Sequence, residues 1–281
     1  MGENFLRTYE ISFKGKTSTL SFGNKTASDM PLRINFDIEK GDSESTNNAK
    51  VQIYGLNKTH IKFLEGKKVK CTLKAGYNMN NVLILHGTVK SATTDQDAAD
   101  RYTEIEVADG SDELSNTKLN ISVKNAKTSK GVYQTIAKKM GVSIQFGKGL
   151  KFKSLKKGWH FVGTAKTGLQ KLTKYNGHSF SIQNGVLQIV KTGQPLKSKV
   201  FTINEKTGLI NRPKKITIES NKKKQNGWEI TYFLNGAINV NDVVRLECEE
   251  TNGNYRVKNI KITGDNYSGG WQCVAQVVRY K

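Results

Sequence analysis

Tyr255–Val277 reads YRVKNIKITGDNYSGGWQCVAQV. Its first part, Tyr255–Ile262, and its last, Trp271–Val278, alternate apolar and polar side chains with the period of a half-buried strand. Between them Thr263–Gly270, TGDNYSGG, gathers the residue types that turn a chain. The stretch therefore predicts two antiparallel strands joined by a loop. Upstream, Lys199–Ile203, Lys215–Glu219, Trp228–Phe233 and Val243–Glu249 have the same strand character. Thr251-Asn252-Gly253-Asn254 places an Asn-Gly pair, a strong hairpin signal, before Tyr255. Six short strands predict a small antiparallel barrel in this section.

The opposite end of the chain repeats the pattern. Leu32–Ile38, Ala49–Tyr54, Val69–Ala75, Val82–Val89 and Tyr102–Val107 alternate, and polar loops at Gly41–Asn48, Gly76–Asn81 and Thr93–Asp100 separate them. Asn57–Glu65 predicts a short helix, begun by Asn57 as its cap and ended at Gly66. A second small barrel follows.

The middle changes period. Ser129–Met140 places Val132, Ile136 and Met140 on one helical face, and Gly141 stops it before the strand VSIQF. Thr164–Tyr175 repeats the order with Ala165, Leu169 and Leu172, and Asn176-Gly177 ends it before Ser179–Gln183. Asn184-Gly185 then predicts a hairpin into Val186–Val190. The expected fold is mainly β with an α+β insert: two small antiparallel β-barrels, residues 1–109 and 199–281, flank an α+β domain at 110–198.

Motifs for chemistry are absent. His60, His86, His160 and His178 have no HxxxH or HExxH spacing, so no metal site is expected. Cys71, Cys248 and Cys273 are odd in number and form no CxxC pair, which predicts buried free thiols. No nucleophile elbow, phosphate loop or dinucleotide fingerprint occurs. Asp109-Gly110 with Asp112-Glu113 is an acidic cluster, but adjacent carboxylates at a section boundary read as a turn or helix cap. No catalytic residue and no cofactor are expected. The first fifteen residues lack an apolar core and no run approaches 18 apolar residues, so neither a signal peptide nor a membrane span is expected.

The net charge is +21, from 45 basic and 24 acidic residues, and only seven of the basic ones are Arg. Lys supplies charge without the planar fork with which Arg grips a phosphate or base. Lys148–Lys157 and Lys222–Lys224, with Phe152, Trp159, Phe161 and Trp228 nearby, leave a basic nucleic-acid-binding β module open as an alternative. A lysine-favouring coding bias of the host accounts for the composition equally well. A peptidoglycan hydrolase is a further alternative, although no carboxylate pair stands out for it.

Several blocks carry a resemblance. LQIVKTGQPL at Leu187–Leu196 leads to TGLINRPKKI at Thr207–Ile216, then INVNDVVRLE at Ile238–Glu247 and the opening stretch itself, with a GDN…GGxW loop before the last strand. LRINFDIEK, NNAKVQIYGLN and LEGKKVKCTLKAGY follow one another at Leu32–Lys40, Asn47–Asn57 and Leu64–Tyr77. In this order they resemble the baseplate hub proteins of tailed bacteriophages, the late control protein D or phage tail hub type. The resemblance implies a structural homotrimer in the virion's tail baseplate, assembled in the host cytoplasm. Its paired barrels would form a pseudo-sixfold ring beneath the tail tube protein and engage the central spike protein on the other side. Baseplate wedge or tape-measure proteins would be neighbours, and DNA would pass only transiently through the lumen. The family has no catalytic residues to carry over. The residues it implies are structural: Gly264, Asp265, Asn266, Gly269 and Gly270 shape the terminal loop, and Trp271 anchors the strand after it. Gly208, Arg212 and Pro213 define the connector into the last barrel, and Asn57 and Gly66 frame the short helix.

Overall fold

The computed structural model describes residues 6–24, 31–44, 47–97, 100–124, 128–196, 199–220 and 223–280. The chain is mainly β with an α+β insert. The first section contributes β1 (Arg7–Lys14), β2 (Thr19–Gly23), β3 (Ile34–Gly41), β4 (Asn47–Tyr54), helix α1 (Lys58–Leu64), β5 (Lys70–Tyr77), β6 (Asn80–Asp97) and β7 (Asp100–Asp109). The insert follows with α2 (Ser111–Ser115), β8 (Lys118–Val123), α3 (Lys130–Met140), β9 (Ser143–Phe146), β10 (Trp159–Thr164), α4 (Ala165–Asn176), β11 (His178–Gln183) and β12 (Val186–Lys191). The last section holds β13 (Val200–Ile203), β14 (Lys214–Ser220), β15 (Lys223–Phe233), β16 (Val243–Glu247), β17 (Asn252–Asp265) and β18 (Trp271–Val278).

One 13-stranded sheet runs through both β-rich sections in the order β14-β15-β18-β17-β3-β4-β7-β6-β5-β1-β2, with β16 also on β17 and β13 on β16. The two ends of the chain meet where β17 pairs antiparallel with β3, from Asn259↔Gly41 to Asp265↔Asn35. Their inward side chains form one cluster that runs from Tyr9, Phe13 and Phe36 to Tyr255, Ile262 and Trp271. Each lobe uses the same device to bend its sheet. The long β6 pairs with β5 up to Thr88 and then with β7, across a bulge between Val89 and Ser91. The long β17 pairs first with β16 and then with β18 and β3, across a bulge between Val257 and Asn259. A strand that changes partners across a bulge turns the corner of a small curved sheet.

The insert has its own core, in which α3 and α4 bury Val132, Tyr133, Ile136, Leu169 and Leu172 against Phe180, Leu187 and Ile189 of β11 and β12. Its strands form two small sheets, β11-β12-β9 and β10-β8. The expected helix stops at Gly141 and Gly177 are present. The Asn184-Gly185 hairpin has φ of 52° and 75°, the doubly left-handed turn that an Asn-Gly pair favours.

Four sequence expectations change. Thr93–Asp97 continues β6 instead of opening a loop, because its polar residues pair with β7 on an open face; Ala98 and Ala99 lie outside the described residues. The Gly76–Asn81 loop shrinks to a two-residue turn at Asn78 and Met79, both left-handed. The β16–β17 hairpin turns at Glu249 and Glu250, closed by bonds between Cys248 and Thr251. Asn252 and Gly253 instead pair with Glu247 and Leu246, a register that sets Tyr255 beside Val244. Finally, β13 runs parallel to β16, so that lobe is not wholly antiparallel. β1, β2, β8 and β10 were not read from sequence at all. Part of Lys222–Lys224 and of Gly41–Asn48 falls outside the described residues.

Candidate functional site at the junction of the lobes

The motif that opened the sequence reading lies at the seam between the lobes. Gly264 in β17 stands opposite Phe36 of β3 on one side and Trp271 of β18 on the other. With no side chain between them, the two rings meet edge to face at 5.2 Å. A Cβ on Gly264 would fall 2.2 Å from Phe36 Cζ. Glycine is therefore required here by close approach, since this residue has no left-handed backbone. Trp271 is buried, and its carbonyl accepts bonds from Leu234 N at 3.1 Å and Tyr77 Oη at 3.3 Å.

Asp265 organises the loop that follows. Its Oδ1 accepts from the backbone N–H groups of Tyr267 (2.8 Å) and Ser268 (3.1 Å), and its own N–H bonds to Gly270 O at 3.0 Å. Its Oδ2 accepts from Arg33 Nη2 at 2.9 Å, and its carbonyl from Arg7 Nη1 at 2.8 Å. Burial alone would raise its pKa, but the hydrogen bonds from Arg33, Ser268 and Tyr267 outweigh that and hold it below the ordinary aspartate value. Asn266 extends the ladder of β3 with its side chain: Oδ1 accepts from Ile34 N at 2.7 Å, and Nδ2 donates to Leu32 O at 3.3 Å. The Arg33 guanidinium lies over the Tyr54 ring at 4.6 Å and near Tyr267 at 5.8 Å. Tyr267 itself is 82% exposed.

Six of the sequence-assigned residues, Gly264, Asp265, Asn266, Gly269, Gly270 and Trp271, thus converge in one knot. The others lie elsewhere. Gly208 accepts from Phe233 N at 2.9 Å beside the end of β15, and Pro213 is buried just before β14. Arg212 is mostly exposed and pairs with Glu249 and Glu250 at 3.2 and 3.5 Å, a surface contact of small energetic weight. Asn57 caps α1 by accepting from His60 N at 2.8 Å, and Gly66 N donates to Phe63 O at 3.1 Å. Sequence reasoning missed the partners of the knot, Arg7, Arg33, Phe36, Tyr54 and Tyr77.

It also missed a second, buried polar seam where the insert meets the sheet. Lys40 is 3% exposed and donates to Asn184 Oδ1 at 2.8 Å. Burial pushes its pKa down to about 8, partly opposed by Asp109. Asp109 is also buried; its carboxylate accepts from the N–H groups of Asn184 and Gly185, and burial raises its pKa. Asn47 donates to Ile182 O (2.8 Å) and Gln183 Oε1 (3.2 Å), and Gln183 donates to Gly41 O (2.8 Å).

The carboxylates of the acidic cluster have separate partners. Asp109 holds this seam, Asp112 pairs with Lys90 and Glu113 with Lys70, each at 2.6 Å. Among the described residues no group of His, Cys, Asp and Glu could hold a metal. Trp159 and Phe161 stack at 5.5 Å and, with Phe152, pack on the insert's core, while Trp228 packs on the main one. The cysteines are free, with Cys71 and Cys273 buried and Cys248, by the hairpin tip, only half-buried. No helix among the described residues is long and apolar enough to cross a membrane.

The fold is similar to those of several solved tail proteins. The 43 kDa tail protein of prophage MuSo2 from Shewanella oneidensis superimposes with a TM-score of 0.64 at 14% identity, over 96% of both chains. The tail protein from Neisseria meningitidis MC58 gives 0.66 at 10% identity, again over 96% of both chains. The E. coli c3393 protein gives 0.65 at 9% identity, over 96% of this chain and 77% of that one. It is a type VI secretion system component described as structurally similar to the T4 bacteriophage tail proteins gp27 and gp5. No family model matches the sequence, and no curated protein does.

Proposed function

We propose that this chain is the structural baseplate hub of a phage tail or tailocin. The observation that carries this reading is the whole-length likeness to tail proteins, over 96% of the chain. The sections 1–109 and 199–281 serve as two ring-building lobes and 110–198 as a separate module between them. Both lobes bend their sheet with a long bulged strand, and the β3–β17 ladder fixes one lobe against the other. Three such chains present six lobes, which suits a sixfold tube on one side and a threefold spike on the other. Closed symmetry of this kind needs repeated, complementary patches. The particle forms in the host cytoplasm, the role is non-catalytic, and wedge or tape-measure proteins abut the ring.

Co-expression with the tail tube and central spike proteins of the same particle, followed by light scattering and electron microscopy, tests this. A threefold ring capping the tube is expected. A chain that stays monomeric with both partners present and is absent from purified particles would overturn it.

A further inference from the structure

The positive charge is not spread evenly along the chain. Residues 110–198 hold sixteen Lys, no Arg and only two acidic residues, and so carry fourteen of the twenty-one net charges. Residues 1–109 hold fifteen basic against fourteen acidic residues. A coding bias that favours lysine acts on every section and does not remove Asp and Glu from one, so it does not account for this pattern.

The structure makes the asymmetry sharper. Asp112 and Glu113, the insert's two acids, pair with Lys90 and Lys70 of the first lobe, so they leave the insert's own lysines uncompensated. From Leu114 to Asn204 no carboxylate side chain occurs. On the lobes, Lys50, Lys74 and Lys261 face Glu or Asp. Among the described residues, the insert's lysines form no such pair. The loop after β9 draws them together with α4: Lys153 N donates to Asn176 Oδ1 at 2.9 Å, and Tyr175 Oη donates to Ser154 O at 2.9 Å. Lys151, Lys153, Lys156 and Lys157 thereby join Lys171 and Lys174 on one side of the insert, all exposed.

We propose that this lysine face docks on double-helical nucleic acid through its phosphates, without reading sequence. The side chains present choose among anionic partners. A protein interface depletes lysine at its centre and draws on aromatics and Arg, whereas the insert has no Arg and exposes only Val162 and Tyr175 among its large apolar residues. The same scarcity gives a membrane surface nothing apolar to take up. Single strands need aromatic platforms, yet Phe146, Phe152, Trp159 and Phe161 are committed to the insert's core. A duplex backbone asks only for cations placed to displace its counterions. The inference rests on the charge partition and not on the hub reading, so a chain that failed to trimerise would leave it standing.

The test is fluorescence anisotropy of the purified full chain with a labelled mixed-sequence duplex of about 20 base pairs, across a salt series. Six phosphate contacts give a log–log salt slope of about −5, an affinity loss of about 10³-fold between 50 and 200 mM salt. Replacing Lys151, Lys153, Lys156, Lys157, Lys171 and Lys174 with Gln should abolish most of that slope. The matched six on the first lobe, Lys14, Lys16, Lys58, Lys62, Lys67 and Lys68, should leave affinity within about threefold. Thermal melts check folding, and two non-overlapping triple sets on the insert, each removing about half the slope, keep the test readable if the sextuple variant misfolds. Equal losses from the two sextuple sets, or no duplex binding at 50 mM salt, would overturn the proposal. So would tighter binding to poly-glutamate or to phosphatidylserine vesicles than to the duplex, which would point to an acidic protein or a membrane instead.

Discussion

Gly264→Ala sets two effects against each other at the lobe junction. Strand propensity favours alanine over glycine by up to about 1 kcal/mol, and no left-handed backbone stands in the way. Packing opposes it. The new methyl lies 2.2 Å from Phe36 Cζ and 2.7 Å from both Cε atoms, so the ring must retreat by more than an ångström to reach ordinary contact. Phe36 has no exposed surface, and its ring meets Trp271 at 5.2 Å across Gly264, so the retreat also opens that contact. Overpacking of this kind costs about 1–3 kcal/mol, and a ring held between paired strands belongs at the upper end. Packing wins, with a net loss of about 2 kcal/mol and a melting temperature lower by about 4–8 °C. Calorimetry and urea unfolding read it. Phe36→Leu removes the clashing Cζ and alone costs about 1–1.5 kcal/mol through the space it leaves. The double variant should be more stable than the sum of the singles predicts by at least about 1 kcal/mol. Strict additivity, or a Gly264→Ala melt within about a degree of the parent, would refute the reasoning.

Two more perturbations probe the polar groups. Asp265→Asn loses the charge-assisted bond to Arg33, about 2 kcal/mol at neutral pH. Because the folded carboxyl titrates below its unfolded value, its stabilisation is full above the ordinary aspartate range and fades as pH falls through the folded pKa; unfolding followed from pH 6 to 2 should be flatter in the variant. Lys40→Met strands Asp109 as an uncompensated buried charge and should cost about 3–5 kcal/mol, part of it recovered by adding Asp109→Asn. In the parent, Lys40 titrates near 8 when folded and higher when unfolded, so the unfolded chain holds more protons and stability should rise from pH 8 toward 10 relative to Lys40→Met. Denaturant midpoints across that range check both statements.

The helices, their stops and the Asn184-Gly185 turn were legible because each is a local signal of period or turn chemistry. The two bulged strands were half legible. Apolar positions shift from Tyr255 and Val257 to Ile260 and Ile262, a slip of phase that marks the bulge, but alternation alone does not say that one strand serves three partners. Thr93–Asp97 was hidden because its polar side chains resemble a loop, and only pairing with β7 makes them a strand. The GDN…GGxW motif located the knot but not its partners, since Arg33 and Phe36 lie more than 220 residues away in sequence. Lys40 follows Ile34, Phe36 and Ile38 at the same inward period, but the strand was read only to Ile38, so its burial went unseen.

The two seams differ in chemistry, and the difference bears on what can move. The lobes are joined by a backbone ladder and a common apolar core, and separating them would expose Phe36 and Trp271 and break paired strands. The insert has a core of its own and meets the sheet through Lys40, Asp109, Asn47 and Gln183, whose bonds water can replace if the seam opens. Local opening should therefore begin at the insert while the lobes stay fused. The charge divides along the same line, with a nearly neutral first lobe and a lysine-coated insert. A β unit held by its own ladder and core, with the charge set apart on the insert, suits the proposed ring-forming part with a separate polyanion contact.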